Sequence, residues 1–451
     1  MSAVIQTNQP VATSLLATGA ADRVIVFDGE RRVTLATFLA QVRGLAAALP
    51  SGRHAINLCE DRYRFLVAFC AVAVRGQTTL LPPSRAPAVI ADELRRHGES
   101  YCVGDADLAD PPPRYWRLPA ILPEHPGAAP AIGDEALVAI GFTSGSTGEP
   151  RPNPKSWRSF RTSSAQNLAA LGDLWSADAP AQLVATVPAQ HMYGMEMSVL
   201  LPLLGDVAIH AARPFFPEDI ARALREARGP RVLVTTPVHL RALVESSVEL
   251  PPMAGVVSAT APLSATLAAA AESRFGCEVR EVFGSTETCV IARRRTARED
   301  AWTPLPGVHV QAQPDGSLVH ALHLPAPVAL ADLVETMPDG RFLLRGRQAD
   351  LLEIAGKRAS LGDLTRQLQA VPGVRDGVMF QLDACPNRGV GRIAALAVAD
   401  IDEASILDVL RRGIDPVFLP RPLRRVAQLP RNETGKLPRA ALLRLLQGDV
   451  Q

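Results

Sequence analysis

The segment FTSGSTGEPR, residues 142–151, follows the apolar run ALVAIG, residues 136–141, without a break. A short apolar run bounded by turn residues predicts a buried strand followed by a turn. The turn combines hydroxyl side chains with glycines at Thr143, Ser144, Gly145, Ser146, Thr147 and Gly148. Its N–H and O–H groups can surround phosphate oxygens, although by composition alone such a stretch is an ordinary surface loop. No Gly-Lys-Ser/Thr ends it, so it is not a P-loop.

Strand-length apolar runs alternate with helix-length amphipathic stretches over roughly the first 340 residues. HAINL at residues 54–58 precedes YRFLVAFCAVAVRG at 63–76, and RVLVTT at 231–236 precedes PVHLRALVES at 237–246. This alternation predicts an α/β fold, with a large N-terminal domain of layered α/β sheets whose strands are parallel. We interpret the proline-rich residues 110–130 as a surface connection within that domain.

A second unit begins near Gly346, where the pattern restarts. Strand-like LLEIAG, GVMFQL and RIAALAVA are interspersed with the helix-like LGDLTRQLQAV and SILDVLRRGI. A chain of 451 residues is long enough for two or three domains. We therefore expect an N-terminal domain over residues 1–346 and a small α+β domain over residues 347–451.

The composition is that of an ordinary globular chain, with 47% hydrophobic and 21% charged residues. The formal net charge of +1 does not favour nucleic acid or an anionic membrane as partner. The six cysteines show no CxxC spacing that would indicate zinc or a redox pair. We find neither a leader pattern nor a membrane-spanning apolar run, and expect a cytoplasmic protein without membrane insertion.

The turn at residues 143–151 resembles the phosphate-loop signature of the adenylate-forming enzymes, which include acyl- and aryl-CoA ligases, nonribosomal-peptide adenylation domains and luciferases. Further motifs of that superfamily follow in its order. They are VPAQHMYGM at residues 187–195, SATAPLS at 258–264, EVFGSTET at 281–288, Asp332 in ALADLVE, DGRFLLRGRQAD at 339–350, AGKR at 355–358 and LPRNETGKLPR at 429–439. The resemblance covers nearly the whole chain.

The resemblance implies an ATP site with Mg²⁺ as cofactor. Glu287 would hold the metal, since Mg²⁺ prefers carboxylate and phosphate oxygens, and Thr286 would place a hydroxyl near phosphate. Asp332 would accept the ribose hydroxyls and Arg347 would contact the ribose beside the domain hinge. The remaining ATP-binding positions are Arg151, Phe283, Gly284 and Ser285, together with the hydroxyl and glycine residues of the turn. Taken singly, Glu287 is a solvated turn carboxylate and Asp332 a helix cap.

Lys436 matches the catalytic lysine that the mobile C-terminal domain of these enzymes brings to the carboxylate and the α-phosphate. An ammonium group there stabilises the negative charge that builds on the phosphoryl oxygens. His191 and Gly194 would belong to the acid pocket together with Ser258, Ala259 and Thr260, although a histidine before an apolar helix can equally be structural. Arg358 resembles a position on the thiol-acceptor side, and its alternative is an exposed arginine without a role.

Three positions depart from the superfamily. Arg151 stands where the phosphate loop usually ends in lysine, and a planar guanidinium is not a compact ammonium. Ala349 occupies the usual hinge position, and Glu353 stands where many members have lysine. These departures bear on the thioester step more than on adenylation.

Together these residues predict an ATP-dependent ligase that converts a carboxylic acid into an acyl-AMP and then a thioester on a phosphopantetheine thiol. The compact chain is similar to ligases that load a hydroxybenzoate such as 4-hydroxybenzoate onto an acyl carrier protein in aryl-polyene pigment pathways. The alternatives are a CoA ligase and a degenerate protein that binds AMP or acyl-AMP without thioester activity. The oligomeric state is left open.

Overall fold

The computed structural model describes residues 12–144, 150–175, 179–347, 351–354, 357–382, 392–432 and 435–448. The fold is mixed α/β with layered sheets, as the alternation of apolar runs predicts. Within these ranges every helix is too short or too polar to cross a bilayer.

The strands of these residues are, in chain order, β1 Thr13–Leu15, β2 Val24–Asp28, β3 Arg31–Thr34, β4 His54–Asn57, β5 Thr78–Leu81, β6 Ser100–Gly104, β7 Tyr115–Arg117, β8 Ala131–Gly133, β9 Leu137–Ser144, β10 Pro150–Ser156, β11 Ala181–Ala185, β12 Val207–His210, β13 Arg231–Thr235, β14 Gly255–Ser258, β15 Glu278–Ser285, β16 Cys289–Arg294, β17 Thr303–Pro304, β18 Val308–Gln313, β19 Gly316–Ala321, β20 Val328–Leu330, β21 Asp332–Thr336, β22 Phe342–Arg347, β23 Leu351–Ile354, β24 Lys357–Ser360, β25 Val374–Gln381, β26 Ile393–Ala399 and β27 Leu423–Arg425.

The helices are α1 Leu35–Ala48, α2 Arg62–Val74, α3 Pro87–Arg96, α4 Trp157–Leu171, α5 Met192–Met195, α6 Leu201–Leu204, α7 Pro217–Glu226, α8 Pro237–Glu245, α9 Ala265–Phe275, α10 Leu361–Gln369, α11 Glu403–Gly413 and α12 Arg439–Gln447. A π turn, Glu196–Leu200, joins α5 to α6. Several helices begin after a residue whose side chain accepts the backbone N–H three residues later, which stabilises the first turn. These caps are Thr34, Asp61, Ser156, Ser264 and Asp402.

Two large sheets contain most of the strands up to β17. The nine-stranded sheet has the order β17-β16-β15-β14-β13-β11-β12-β2-β3, and its strands from β15 to β2 are parallel. The six-stranded sheet has the order β10-β9-β5-β4-β6-β7, and only its β9–β10 pair is antiparallel. The predicted parallel sheets are therefore confirmed. Helix α2 is buried along nearly its whole length, as an apolar run without a polar face predicts.

The interpretation of residues 110–130 as a surface connection is wrong in part. β7 adds an edge strand to the six-stranded sheet within this span, and Leu118 and Leu122 are buried in the main core. Three residues are too few for an alternating pattern to show in the sequence.

The chain after residue 351 forms its own apolar clusters. The sheet β25-β26-β27 packs against α10 and α11, with Leu364, Leu368, Ile393 and Ile406 in the larger cluster. All of the predicted strands and helices of this part are present. The division of the chain at residue 346 stays a prediction.

Candidate active site

Several of the predicted site residues lie near the carboxyl ends of parallel strands in the nine-stranded sheet. β14 ends at Ser258 and β15 ends at Ser285, while the segment that contains His191 follows β11. Ligands of open α/β sheets bind at this edge.

Two antiparallel strands, β9 and β10, flank the segment that resembles a phosphate loop. We name residues 143–148 the phosphate turn, after that resemblance, and β9 with β10 the phosphate hairpin. β9 pairs with β10, so that Thr143 lies opposite Arg151 and Ser144 lies opposite Pro150. Thr143 is half-buried and Arg151 is exposed. Gly145, Ser146, Thr147 and Gly148 lie outside the described residues. The strand predicted before the turn is confirmed as β9.

The phosphate hairpin contacts the other sheet through Gly141, close to the end of β9. A Cβ on Gly141 would lie 2.6 Å from Cγ2 of Thr286 and 3.1 Å from Cε of Met192. The hairpin, the segment after His191 and the turn after β15 therefore meet at one place. A larger residue at position 141 would separate them.

The turn between β15 and β16 presents Thr286 and Glu287, both half-buried. Ser285 and Thr288 close the turn, because each backbone N–H donates to the other's hydroxyl at 3.2 Å. Gly284 is required here: a Cβ would lie 2.1 Å from the carbonyl oxygen of Cys289.

The ring of Phe283, immediately before this turn, packs on one side against Trp302 and Phe342. The ring centroids are 5.4 Å and 6.2 Å away respectively. Aromatic contacts of this kind fix the plane of the Phe283 ring.

His191 begins the short helix α5. Its Nδ1 accepts the N–H of Tyr193 at 3.3 Å, and the Tyr193 hydroxyl donates to the carbonyl of Val257 at 3.0 Å. Burial, assisted by the positive charge of Lys436, lowers the pKa of His191 to about 4. The imidazole is therefore neutral at pH 7.

Gly194 lies one turn further along, where a Cβ would come within 1.9 Å of the Pro188 carbonyl oxygen. Only glycine fits this close approach.

The segment after β14 carries unpaired polar atoms. Among the described residues, the buried hydroxyls of Ser258 and Thr260 have no hydrogen-bond partner. Thr260 has a φ of 82°, a left-handed conformation that is uncommon for a threonine. Buried polar atoms are normally paired, and strained residues concentrate at ligand sites, so these hydroxyls are suited to a bound ligand. Ala259 between them is buried.

Glu281 holds this segment in place. Its buried carboxylate accepts the N–H of Leu263 at 3.0 Å, the Arg294 guanidinium at 2.8 Å and the Thr296 hydroxyl at 2.7 Å. The first residue of the EVFGSTET motif thus ties the middle of β15 to the segment after β14.

Asp332 and Arg347 occupy opposite positions in the antiparallel hairpin β21–β22. The structure therefore brings the two predicted ribose-binding positions side by side. Fifteen residues separate them in the sequence. Arg358 lies opposite Glu353 in the hairpin β23–β24, and Ala349 is outside the described residues.

The loop that carries Lys436 lies against the N-terminal part of the chain. A Cβ on Gly435 would lie 3.3 Å from Cγ2 of Val238 and 3.6 Å from Cβ of Ala261. The Asn432 side chain accepts the backbone N–H of Lys436 at 2.8 Å. The Lys436 side chain is exposed. It thus projects from a loop seated beside α8 and the segment after β14.

An ion pair between Arg431 and Asp376 holds the loop that carries Lys436. Arg431 bonds both carboxylate oxygens of Asp376, at 2.9 and 3.0 Å, and donates to the carbonyl of Gly435 at 2.8 Å. The two side chains are only 19% and 12% exposed. A bidentate pair of this kind fixes orientation as well as charge.

A Mg²⁺ held by Glu287 would take one carboxylate from the described residues and its other ligands from phosphate and water. Glu287 belongs to no cluster of three or more potential metal ligands among the described residues. Magnesium bound with nucleotides typically takes one or two carboxylates and completes its shell with phosphate and water.

One group of potential metal ligands, Asp28, His210 and Glu226, lies elsewhere among the described residues, and its His210 and Glu226 are hydrogen-bonded to each other. His210 Nδ1 accepts the N–H of Ala212 at 3.1 Å, so Nε2 carries the proton that bonds Glu226 at 2.8 Å. We assign it no metal.

Comparison with known proteins agrees with this geometry. The family described as AMP-binding enzyme matches residues 16–314. A 4-coumarate–CoA ligase of Rhodobacter capsulatus is 31% identical over 319 residues, covering 68% of this chain and 76% of the relative. The chain belongs to the AMP-binding enzyme family. A fatty acid–[acyl-carrier-protein] ligase of Mycobacterium marinum, MmaC, is 24% identical over 381 residues, covering 71% of this chain and 70% of the relative.

The fold of this AMP-binding enzyme also matches solved structures. ATP-bound MatB from Rhodopseudomonas palustris superposes with a TM-score of 0.79 at 20% identity, covering 95% of this chain and 96% of MatB. The expected fold is confirmed. The expected activity class, an AMP-forming acid–thiol ligase, is confirmed by the family.

Sequence reasoning missed several residues of this AMP-binding enzyme. The motifs assign no role to Lys155, Glu196, Arg431 or Asp376. They include Glu281 only as the first residue of EVFGSTET. One signal was available: the chain contains three lysines, Lys155, Lys357 and Lys436. Because lysine and arginine are not interchangeable at specific sites, each of these rare lysines is a candidate for a specific role.

Proposed function

We propose that this enzyme activates an aryl acid such as 4-hydroxybenzoate with ATP and transfers it to the phosphopantetheine thiol of an acyl carrier protein. Lys436 is the proposed catalytic residue, with Thr286 and Glu287 across the site. The observation that carries the proposal is the seating of the Lys436 loop against Val238 and Ala261, because it brings a cation to the strand ends where ATP would bind.

The position of Lys436 suits the adenylation step. Its positive charge helps to lower the pKa of His191, which is predicted to line the acid pocket. In this step a carboxylate oxygen attacks the α-phosphorus and the bond to pyrophosphate breaks, so two anions must approach each other. An ammonium at this place lowers their repulsion and stabilises the charge that builds on the phosphoryl oxygens.

The nucleotide would lie along the strand ends. The phosphate turn from Thr143 to Gly148, with Arg151 after it, would surround the phosphates by its N–H and O–H groups. Asp332 and Arg347 would hold the ribose from the β21–β22 hairpin. Glu287 would hold Mg²⁺, which would supply charge neutralisation between the phosphates.

The acid pocket would lie between His191 and the segment after β14. A neutral imidazole leaves the acid carboxylate as the charged group beside Lys436. The unpaired hydroxyls of Ser258 and Thr260 would bond polar atoms of the acid or the nucleotide.

Thioester formation requires room for the pantetheine thiol. The thiol sulfur attacks the acyl carbonyl carbon, and the carbonyl-to-AMP bond breaks. We propose that the C-terminal domain, residues 347–451, rotates to withdraw Lys436 and that Arg358 then lies on the thiol side.

Two relatives support the choice of substrates. The R. capsulatus enzyme is named for 4-coumarate, a hydroxyaryl acid, and MmaC is named for an acyl carrier protein. Free CoA is the alternative acceptor, favoured by the name of the R. capsulatus enzyme.

A thiol-acceptor assay tests the choice. Purified enzyme, ATP, Mg²⁺ and 4-hydroxybenzoate are supplied with holo carrier protein, apo carrier protein or CoA, and thioester is measured by mass spectrometry. We expect thioester on holo carrier protein and none on the apo form. Rapid turnover with CoA alone would refute the carrier-protein proposal and leave adenylation intact.

A further inference from the structure

Lys155 is buried, with 3% of its surface exposed. It lies on β10, four residues after Arg151, and its Nζ donates to the backbone carbonyl of Glu287 at 2.7 Å. An ammonium group is costly to bury unless it is paired and hydrogen-bonded. A hydrophobic residue would fill this position of β10 at lower cost, so the charge requires an explanation.

Glu196, in the π turn that follows α5, is the opposite charge in this region. It is 2% exposed, and its carboxylate accepts the N–H of Val290 at 3.0 Å, the hydroxyl of Ser163 at 2.7 Å and the amide of Asn167 at 3.0 Å. Burial raises the pKa of Glu196, and these hydrogen bonds together with the charge of Lys155 oppose that rise. π turns of this kind are frequent at functional sites.

The two buried charges hold opposite ends of one turn. Lys155 bonds the carbonyl of Glu287 at its tip, and Glu196 bonds the N–H of Val290 where β16 begins. His323, two residues after the end of β19, adds a third contact, because its Nε2 bonds the carbonyl of Thr288 at 2.6 Å. All three contacts are to the main chain, so they fix the path of the turn and leave its side chains at residues 286 and 287 available.

These anchors come from the other segments of the site. Lys155 belongs to the hairpin that carries the phosphate turn, and Glu196 belongs to the helical segment that starts at His191. The turn therefore cannot move relative to the phosphate hairpin without leaving a buried ammonium unpaired.

We propose that Lys155 is a positioning residue that holds the Glu287 main chain, so that Thr286 and Glu287 meet ATP·Mg²⁺ bound by the hairpin that also carries Lys155. The proposal rests on the function proposed above for Glu287. It predicts that loss of Lys155 weakens binding of the phosphates and the metal and does not change binding of the adenosine part of the nucleotide.

The test compares two nucleotides by isothermal titration calorimetry, with no acid present. ATP with excess Mg²⁺ probes the phosphate and metal end, and AMP in EDTA probes the adenosine end. The variants are Lys155→Met, Lys155→Gln, which is neutral but keeps an N–H donor, and the control Arg158→Met, which removes an exposed cation three residues away. Thermal unfolding of each free protein reports folding.

We expect Lys155→Met to weaken ATP·Mg²⁺ binding about tenfold, as loss of a charge-assisted hydrogen bond can, and to leave AMP binding within about twofold. The ATP·Mg²⁺ affinity of Lys155→Gln should lie between those of the wild type and Lys155→Met. Lys155→Gln provides the measurement if Lys155→Met does not fold. Arg158→Met should bind both nucleotides as the wild type does.

Equal losses for both nucleotides in a folded variant, or unchanged binding of both, would overturn the positioning role, as would failure of both variants to fold. Wild-type enzyme that binds ATP·Mg²⁺ but shows no acid-dependent pyrophosphate exchange would instead refute the proposed function, so the two failures are distinguishable.

Discussion

Replacement of Lys436 by alanine removes the proposed catalytic ammonium. The loop itself should survive, because its hydrogen bonds to Asn432 and Arg431 use main-chain atoms of residues 435 and 436. The side chain is exposed, and exposed substitutions usually change the free energy of unfolding by less than about 0.5 kcal/mol. Lys436→Ala is therefore expected to fold and to bind ATP.

The expected loss of rate in Lys436→Ala is confined to the adenylation half of the reaction. Removing one group that stabilises transition-state charge typically lowers the rate ~10²–10³-fold. We expect a fall of that size in acid-dependent ATP–pyrophosphate exchange. Thioester formation from synthetic acyl-AMP should change little, because Lys436 leaves the site before that step in the proposed sequence.

The assay measures both halves on the same preparations. Labelled pyrophosphate incorporation into ATP reports adenylation, and mass spectrometry of holo carrier protein or CoA supplied with acyl-AMP reports transfer. Arg412→Ala, which removes an exposed cation on α11, is the matched control and should behave as the wild type does. Near wild-type exchange by Lys436→Ala, or equal losses in both half-reactions, would refute the role of Lys436.

Further perturbations test the supports of the site. Arg431→Lys cannot bond Asp376 and the Gly435 carbonyl together as a planar fork does, so acid-dependent exchange should fall about tenfold; unchanged exchange would contradict the loop-holding role. Glu281→Gln leaves Arg294 without its buried partner and should lower the free energy of unfolding by about 3 kcal/mol in urea titrations; a change below about 0.5 kcal/mol would argue against it. The folded-state pKa of His191, about 4 against 6.5 unfolded, favours the neutral form. Its contribution to stability is present above pH 6.5 and lost as the pH falls towards 4. His191→Gln should therefore lose less stability than the wild type over that interval, and equal losses would contradict it.

Much of the fold could be predicted from the sequence because its strands and helices are strongly patterned. Apolar spacing predicts the run before Phe142, the alternation around α2 and α8, and the elements β23, α10, β25, β26 and α11 after residue 351. It does not predict β24, β27 and α12. β7 could not be predicted, since three residues carry no period.

A motif that places several residues close in sequence points to one part of the candidate site, as at Thr286 and Glu287, and the roles of these two residues stay predictions. The pairing of Asp332 with Arg347 became visible only in the register of the β21–β22 hairpin. Lys155 and Glu196 could not be predicted from the sequence, because each bonds a main-chain atom of another element. Their partners, Glu287 and Val290, lie 132 and 94 residues away in the sequence. Sequence patterns record which face is buried, and they do not record which distant backbone atom a buried charge will meet.

We propose that this AMP-binding enzyme adenylates an aryl acid at the strand ends of the nine-stranded sheet. The decisive experiment is acid-dependent ATP–pyrophosphate exchange by the wild-type enzyme, measured with substituted benzoates, hydroxycinnamates and fatty acids side by side. We expect exchange that requires Mg²⁺ and is fastest with a hydroxybenzoate. Exchange with fatty acids alone would contradict the aryl assignment, and the absence of exchange with every acid would identify a protein that binds the nucleotide without activating an acid.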